Sequence, residues 1–153
     1  MKLTVYTAAK INLGLEIIGK QKDNYHELDM IMQSINLFDK VTVEKTNHKN
    51  IQIIHATPIN CHFTEDITYK CARMFFDCIE KPCSGIKVSI DKNIPLCAGL
   101  AGGSSNGAGV LIALNSMYGN HFSIDELKQM GGKIGTDIPF CITGGTARAS
   151  GIG

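Results

Sequence analysis

The chain reads as an α+β domain, a single sheet with helices packed on one face, and three observations predict it. The first third is strand-like, with alternating or continuous apolar runs over 3–18, 28–37, 40–45 and 51–55. Two later stretches, 66–80 and 104–118, carry apolar residues at helical spacing, and the segment between them, Ile86-Lys87-Val88-Ser89-Ile90-Asp91, alternates with the strand period. Strands first, then strands and helices mixed, is the order an α+β layer requires.

Taken in chain order, the first run contains Ala8-Ala9-Lys10-Ile11-Asn12-Leu13-Gly14-Leu15. The strand period puts Ile11, Leu13 and Leu15 on one face and Lys10, Asn12 and Gly14 on the other, so Lys10 and Asn12 point the same way. Asp23-Asn24-Tyr25-His26-Glu27 falls in the turn after the first hairpin. Ile67, Cys71, Met74, Phe75 and Cys78 form an amphipathic stripe with Thr64 as a candidate cap, and Lys81-Pro82 ends that helix.

The next element is a glycine-rich turn, Gly99-Leu100-Ala101-Gly102-Gly103-Ser104-Ser105-Asn106, leading into a helix that runs from Ser104 to a stop at Gly119. The first amides of a helix have no internal partner and carry the positive end of its dipole, so a phosphate there is stabilised without a cationic side chain. A Walker loop is excluded because no lysine precedes Ser104, and the Rossmann spacing is absent. A third kind of phosphate loop and a plain packing turn both fit. Gly107 and Gly109 each cost about 1 kcal/mol inside a helix, which implies that something comes close to that backbone.

Ser123-Ile124-Asp125-Glu126 is a capping box for a third helix, closed by glycines 131, 132 and 135. Gly135-Thr136-Asp137-Ile138-Pro139 then holds a carboxylate on a stiff turn, either as a turn former or as a general base for phosphoryl transfer kept ionised by a nearby cation. Residues 144–153 begin a strand without a closing element, which fits a flexible tail or a longer chain equally.

With 153 residues, 44% hydrophobic and 19% charged, the chain can bury one core and is not of disordered composition. A net charge of +1 with scattered lysines gives no basic surface for nucleic acid or membrane. Neither a signal peptide nor an apolar run of roughly 20 residues is present, so a cytoplasmic protein acting on small polar ligands is expected. Cys61, Cys71, Cys78, Cys83, Cys97 and Cys141 form no C-x-x-C pair and read as reduced, mostly buried thiols. The five histidines are scattered, and no metal site is expected.

Ala9-Lys10-Ile11-Asn12-Leu13, Asp23-Asn24-Tyr25-His26, Lys92-Asn93-Ile94-Pro95 running into Ala98–Ser105, and Ile134–Phe140 followed by Gly144-Gly145-Thr146-Ala147 together resemble the GHMP kinase superfamily, and spread over nearly the whole chain in its order. The resemblance implies the superfamily's N-terminal, ATP-binding domain over residues 1–153, a fold like domain 2 of ribosomal protein S5 with an antiparallel or mixed sheet, and a second domain that this chain does not contain. Among its branches, the Tyr25-His26 pair and the lysine strand point to one that phosphorylates a hydroxyl of a cytidine-diphosphate-linked methylerythritol, in non-mevalonate isoprenoid synthesis. Asp137 is then the base, with Lys10 holding it ionised and stabilising the transferring group. Asn12 orients the acceptor hydroxyls, Tyr25 stacks on cytosine, and His26 bonds its polar edge. Pro95, Leu96, Cys97, Ala98, Gly99, Leu100, Ala101, Gly102, Gly103, Ser104 and Ser105 cradle the ATP phosphates. Ser104 or Ser105 helps place Mg²⁺, which offsets phosphate charge because the loop has no lysine of its own. Asp66-Ile67 stands where the superfamily branch reads asparagine-leucine beside adenine. Another GHMP small-molecule kinase, or a non-catalytic nucleotide-binding module, remain as alternatives that CDP competition and ATP titration separate.

Overall fold

The computed structural model describes residues 1–20, 26–56, 62–79 and 85–152. Among these, the strands are β1 (Lys2–Lys20), β2 (His26–Lys45), β3 (Ile51–His55), β4 (Ile86–Asp91) and β5 (Thr146–Ile152). The helices are α1 (Ile67–Cys78), α2 (Gly102–Met117), α3 (Ile124–Gly132) and the short α4 (Ile138–Thr143). The strands form one sheet in the order β1-β2-β4-β3, with β5 also on β2. All pairs are antiparallel except β3 with β4, so the sheet is mixed, as expected.

β2 organises the molecule. The two runs read at 28–37 and 40–45 are one strand of 20 residues, paired with β1 along its length. Its second half, 40–45, pairs with β4, whereas its first half, 27–33, pairs with β5. The change falls where the β1–β2 register slips between Ala8 and Ala9. Each half has its own core. Val41 and Val43 pack with Ile86, Val88, Phe75, Leu111 and Leu114 under α1, α2 and α3, while Met30 and Met32 pack with Phe140 of α4. Burying apolar side chains at about 25 cal/mol per Å² is what holds these layers together.

Several boundaries differ from the sequence reading. Residues 2–20 form one strand, so no hairpin precedes Tyr25. The cap of α1 is Asp66, whose carboxylate accepts the Thr68 amide at 2.7 Å, and not Thr64. The buried stripe of α1 is Thr68, Cys71, Ala72, Phe75 and Phe76, which leaves Cys78 exposed. α2 starts two residues early, at Gly102, because Ala101 takes a left-handed turn at φ 55° and lets the helix begin on glycines. The box at α3 is present, Ser123 N donating to Glu126 Oε2 at 2.8 Å and Glu126 N to Ser123 Oγ at 3.4 Å. The strand that the sequence begins within 144–153 is present as β5, Thr146–Ile152.

Gly107 and Gly109 make room for protein, not for a ligand. A Cβ on Gly109 would run into the Thr7 Cγ2 methyl and stand 3.7 Å from Val41, and Thr7 cannot swing aside without losing its 3.0 Å hydrogen bond to Asn106 Oδ1. A Cβ on Gly107 would meet Ile67 and Cys71 of α1 at 2.8 and 2.9 Å. Overpacking at the Thr7 contact should exceed the helix-propensity gain, so Gly109→Ala is expected to lose about 1–2 kcal/mol of stability. Urea unfolding checks it: a midpoint at or above the parent's would show that α2 and β1 can separate freely.

Candidate active site

Lys10 lies on β1, buried, and its ammonium stands 3.6 Å from Asp137 Oδ2 while donating to Asn12 Oδ1 at 3.1 Å. Alternation places Lys10 and Asn12 on one face, as the sequence indicated. The next step departs from it. Register slips between Asn12 and Gly14, so Leu13 is an extra residue that pairs with nothing, and the faces exchange beyond it. Leu15 therefore joins the side of Lys10 and Asn12, and all three line a cavity of about 470 Å³ with Met30, Met32, Thr136, Asp137 and Phe140.

Asp137 occupies the N-cap position of α4 but makes no capping hydrogen bond, so its carboxylate stays free at 29% exposure. The turn beneath it is fixed by Ile138 N donating to Gly135 O at 3.2 Å and by Pro139 in the first turn of α4. A carboxylate held this way against one ammonium can accept a proton from a hydroxyl placed in the cavity. α4 itself was not legible, since six residues containing a proline show no helical period.

The glycine loop is stitched to β1. Lys10 N donates to Leu100 O at 3.1 Å, and Ser105 Oγ donates to Ala8 O at 2.8 Å. Ser105 N also bonds Ala101 O, so Ser105 is turned into the fold and Ser104 is the serine left beside the site, with its Oγ 3.9 Å from where a Gly135 Cβ would stand. Left-handed backbone at Cys97, Gly99 and Ala101 brings the chain round to α2, whose first turn has no side-chain cap. The amides of Gly102, Gly103 and Ser104 are consequently open to an anion. Pro95 has no N–H to offer.

A lysine from outside the loop reaches it. Lys92, at the end of β4, packs its Nζ against Gly102, where a Cβ would lie 2.9 Å away. It is ion-paired with Asp39 of β2, a fully buried carboxylate that also accepts the amides of Asn93 at 2.7 Å and Ile94 at 2.8 Å. The sequence reading missed Asp39. Its signal is a carboxylate at the junction of two apolar runs.

On the other side of the α2 N-terminus lies a cavity of about 240 Å³, lined by His55, Asp66, Ile67, Lys92, Leu96, Gly103 and Asn106. Burial works to raise the Asp66 carboxyl, but hydrogen bonds from the Thr68 hydroxyl, His55 Nε2 at 2.6 Å and the Thr68 amide outweigh it and hold the group below its usual range. Burial also pushes the Cys71 and Cys141 thiols up to about 12, helped by the charges of Asp66 and Asp137 respectively. Cys78 and Cys97 are exposed, which corrects the expectation of mostly buried thiols; Cys61 and Cys83 lie outside the described residues. Tyr25 lies outside them too, and His26 is described only as backbone, the first residue of β2 opposite Lys20. Among the described residues, no group of three His, Cys, Asp or Glu is placed to hold a metal ion, and no helix is long and apolar enough to cross a membrane.

The sequence profile of the GHMP kinases N terminal domain matches residues 66–145. The chain is 46% identical over 157 aligned residues to a 4-diphosphocytidyl-2-C-methyl-D-erythritol kinase of Clostridium perfringens, covering 100% of this chain and 52% of the relative. It is 42% identical to the enzyme of that name from Prochlorococcus marinus, covering 99% of this chain and 47% of the relative. A crystal structure of 4-(cytidine 5'-diphospho)-2C-methyl-D-erythritol kinase superposes with a TM-score of 0.83 at 30% identity, over 99% of this chain and 53% of that one. Methanococcus jannaschii mevalonate kinase shares the fold at a TM-score of 0.74 and 17% identity, over 98% of this chain and 54% of that one. The chain thus spans about half the length of the curated relatives it matches.

Proposed function

This chain belongs to the GHMP kinases, and from that premise we propose that it forms the phosphoryl-donor and catalytic half of a kinase acting on 4-diphosphocytidyl-2-C-methyl-D-erythritol. The observation that carries the reading is the Lys10–Asp137 pair, 3.6 Å apart in a roomy cavity beside the uncapped start of α2. A base and a phosphate cradle are within reach of one another. That is the arrangement phosphoryl transfer to an alcohol needs.

The residues present fit ATP. Gly102, Gly103 and Ser104 offer amides to its phosphates, and Lys92 adds an ammonium at the same place. They fit Mg²⁺ only as a companion of those phosphates, with the Ser104 hydroxyl as the protein ligand; when bound, it neutralises phosphate charge. Asp137 takes the hydroxyl proton as the oxygen attacks. Lys10 keeps the carboxylate company and faces the charge on the group in transit, while Asn12, already bonded to Lys10, orients the acceptor. Tyr25 and His26 hold the cytosine in this reading.

The test supplies the whole-length protein carrying this domain with ATP and 4-diphosphocytidyl-2-C-methyl-D-erythritol and follows ADP. Turnover inhibited competitively by CDP is expected. Turnover of mevalonate, homoserine or a sugar with indifference to CDP would move the acceptor assignment to another branch.

A further inference from the structure

No hydrogen bond pins the carboxylate on which the proposed chemistry turns. Among the described residues Asp137 makes no capping bond, and its ionic partner, the Lys10 ammonium, stands at 3.6 Å, too far to count as a hydrogen bond. A general base must nevertheless come within hydrogen-bond reach of one particular proton. Where the carboxylate sits is then decided by the backbone that carries it, and the next residue along that backbone is Ile138.

Ile138 is fully buried, and glycines of three elements converge on its side chain. A Cβ on Gly131 would strike its Cγ2 methyl and lie 3.1 Å from its Cβ. One on Gly135 would touch its Cγ1 and Cδ1 at 3.5 Å, and one on Gly107 its Cδ1 at 3.6 Å. None of the three has left-handed backbone, so conformational freedom does not account for them. Gly107 lies within α2, and Gly131 lies inside α3, the helix it was expected to close; glycine is unfavourable at both places. What these glycines supply is room. The amides of Ile134 and Gly135 both return to Gly131 O at 2.9 Å, which ties two walls of the socket together.

We propose that Ile138 is the positioning residue of the base: seated among Gly107, Gly131 and Gly135, it sets where Asp137 stands relative to Lys10 and to the start of α2. This rests on the kinase reading above. α2 presents its open amides at Gly102–Ser104 and, one turn further on, touches Ile138 through Gly107, so the phosphate cradle and the base are gauged from one helix. A close-packed interior passes a displacement on instead of absorbing it. Moving a reacting group by about 1 Å can cost on the order of 10²-fold in rate.

The experiment makes Gly131→Ala, Ile138→Val, and Gly131→Ala together with Ile138→Leu in the whole-length protein, and measures kcat and the KM for ATP in the acceptor assay above beside urea unfolding. In Gly131→Ala the added methyl pushes on the Cγ2 of Ile138, and kcat is expected to fall about tenfold or more in folded protein while the KM for ATP stays within about twofold. Leucine has no branch at Cβ, so the double variant should recover at least about half of the parental kcat. Ile138→Val, which withdraws Cδ1 from Gly107 and Gly135, should lower kcat by about threefold or more. A side chain that only stabilised the fold would leave the kcat of folded enzyme unchanged, however far the unfolding midpoint dropped. A kcat within about twofold of the parent in folded Gly131→Ala, or in Ile138→Val should Gly131→Ala not fold, would overturn the proposal and leave the kinase reading standing. So would a loss that the double variant does not relieve, or one matched by a rise in the KM for ATP. A parent without ATP-dependent phosphorylation would overturn both.

Discussion

Replacing Asp137 by alanine is expected to lower the turnover of the whole-length protein by about 10²- to 10⁴-fold, the range set by loss of a positioned general base. The KM values should change little, since the carboxylate meets the acceptor only through the proton in transit. Stability should fall by less than the roughly 3–5 kcal/mol of a fully buried pair, although the buried Lys10 loses its charged partner. The reason is geometric: Asp137 makes no capping bond, is 29% exposed, and leaves Lys10 still bonded to Asn12. Asp137→Asn should lose as much activity as Asp137→Ala, because the missing property is basicity and not shape. Steady-state kinetics beside urea unfolding separates the two effects. Either variant retaining more than a tenth of parental turnover would remove Asp137 from the chemistry.

Asp39 should give the opposite signature, a large stability loss. Asp39→Ala strips the partner from the buried ammonium of Lys92 and, in Oδ1, the one oxygen that accepts both the Asn93 and the Ile94 amides. Breaking a buried pair by removing one member typically costs about 3–5 kcal/mol, because the remaining charge is stranded. That is a large fraction of the stability of an ordinary domain, about 5–15 kcal/mol. ATP affinity should fall with it, since Lys92 and the chain leading into the glycine loop lose their anchor. Asp39→Asn, which keeps one acceptor oxygen for the amides, should fall between Ala and the parent. An unfolding midpoint for Asp39→Ala within about 0.5 kcal/mol of the parent would show that water reaches Lys92 and that the pair is a surface contact.

The features legible in the sequence are those written in local pattern. The limits of β4 follow from six alternating residues, and the α3 cap from Ser123 and Glu126 three apart. Lys10 and Asn12 share a face because they are two apart on a strand. Asp137 was legible as a carboxylate on a rigid turn, while its meeting with Lys10 came only through the family resemblance. What escaped is what the chain assembles at a distance. Asp39 and Lys92 lie 53 residues apart, and nothing around either announces the other. His55 reaches Asp66 only because β3 lies alongside β4 and the start of α1 returns to it. The extra residue at Leu13 was invisible for another reason: Ile11, Leu13 and Leu15 alternate perfectly, and only the register with β2 reveals that Leu15 has changed sides.

The division of β2 between two sets of neighbours has a consequence for how such a protein can diverge. Its later half, with Val41 and Val43, is committed to the layer that carries α2 and the glycine loop. Its earlier half, with Met30 and Met32, walls the Lys10–Asp137 cavity together with Phe140. Variation in that cavity's size and lining therefore need not disturb the wing that carries the glycine loop. A lineage built on this strand is free to reshape one chamber while inheriting the other wing unaltered.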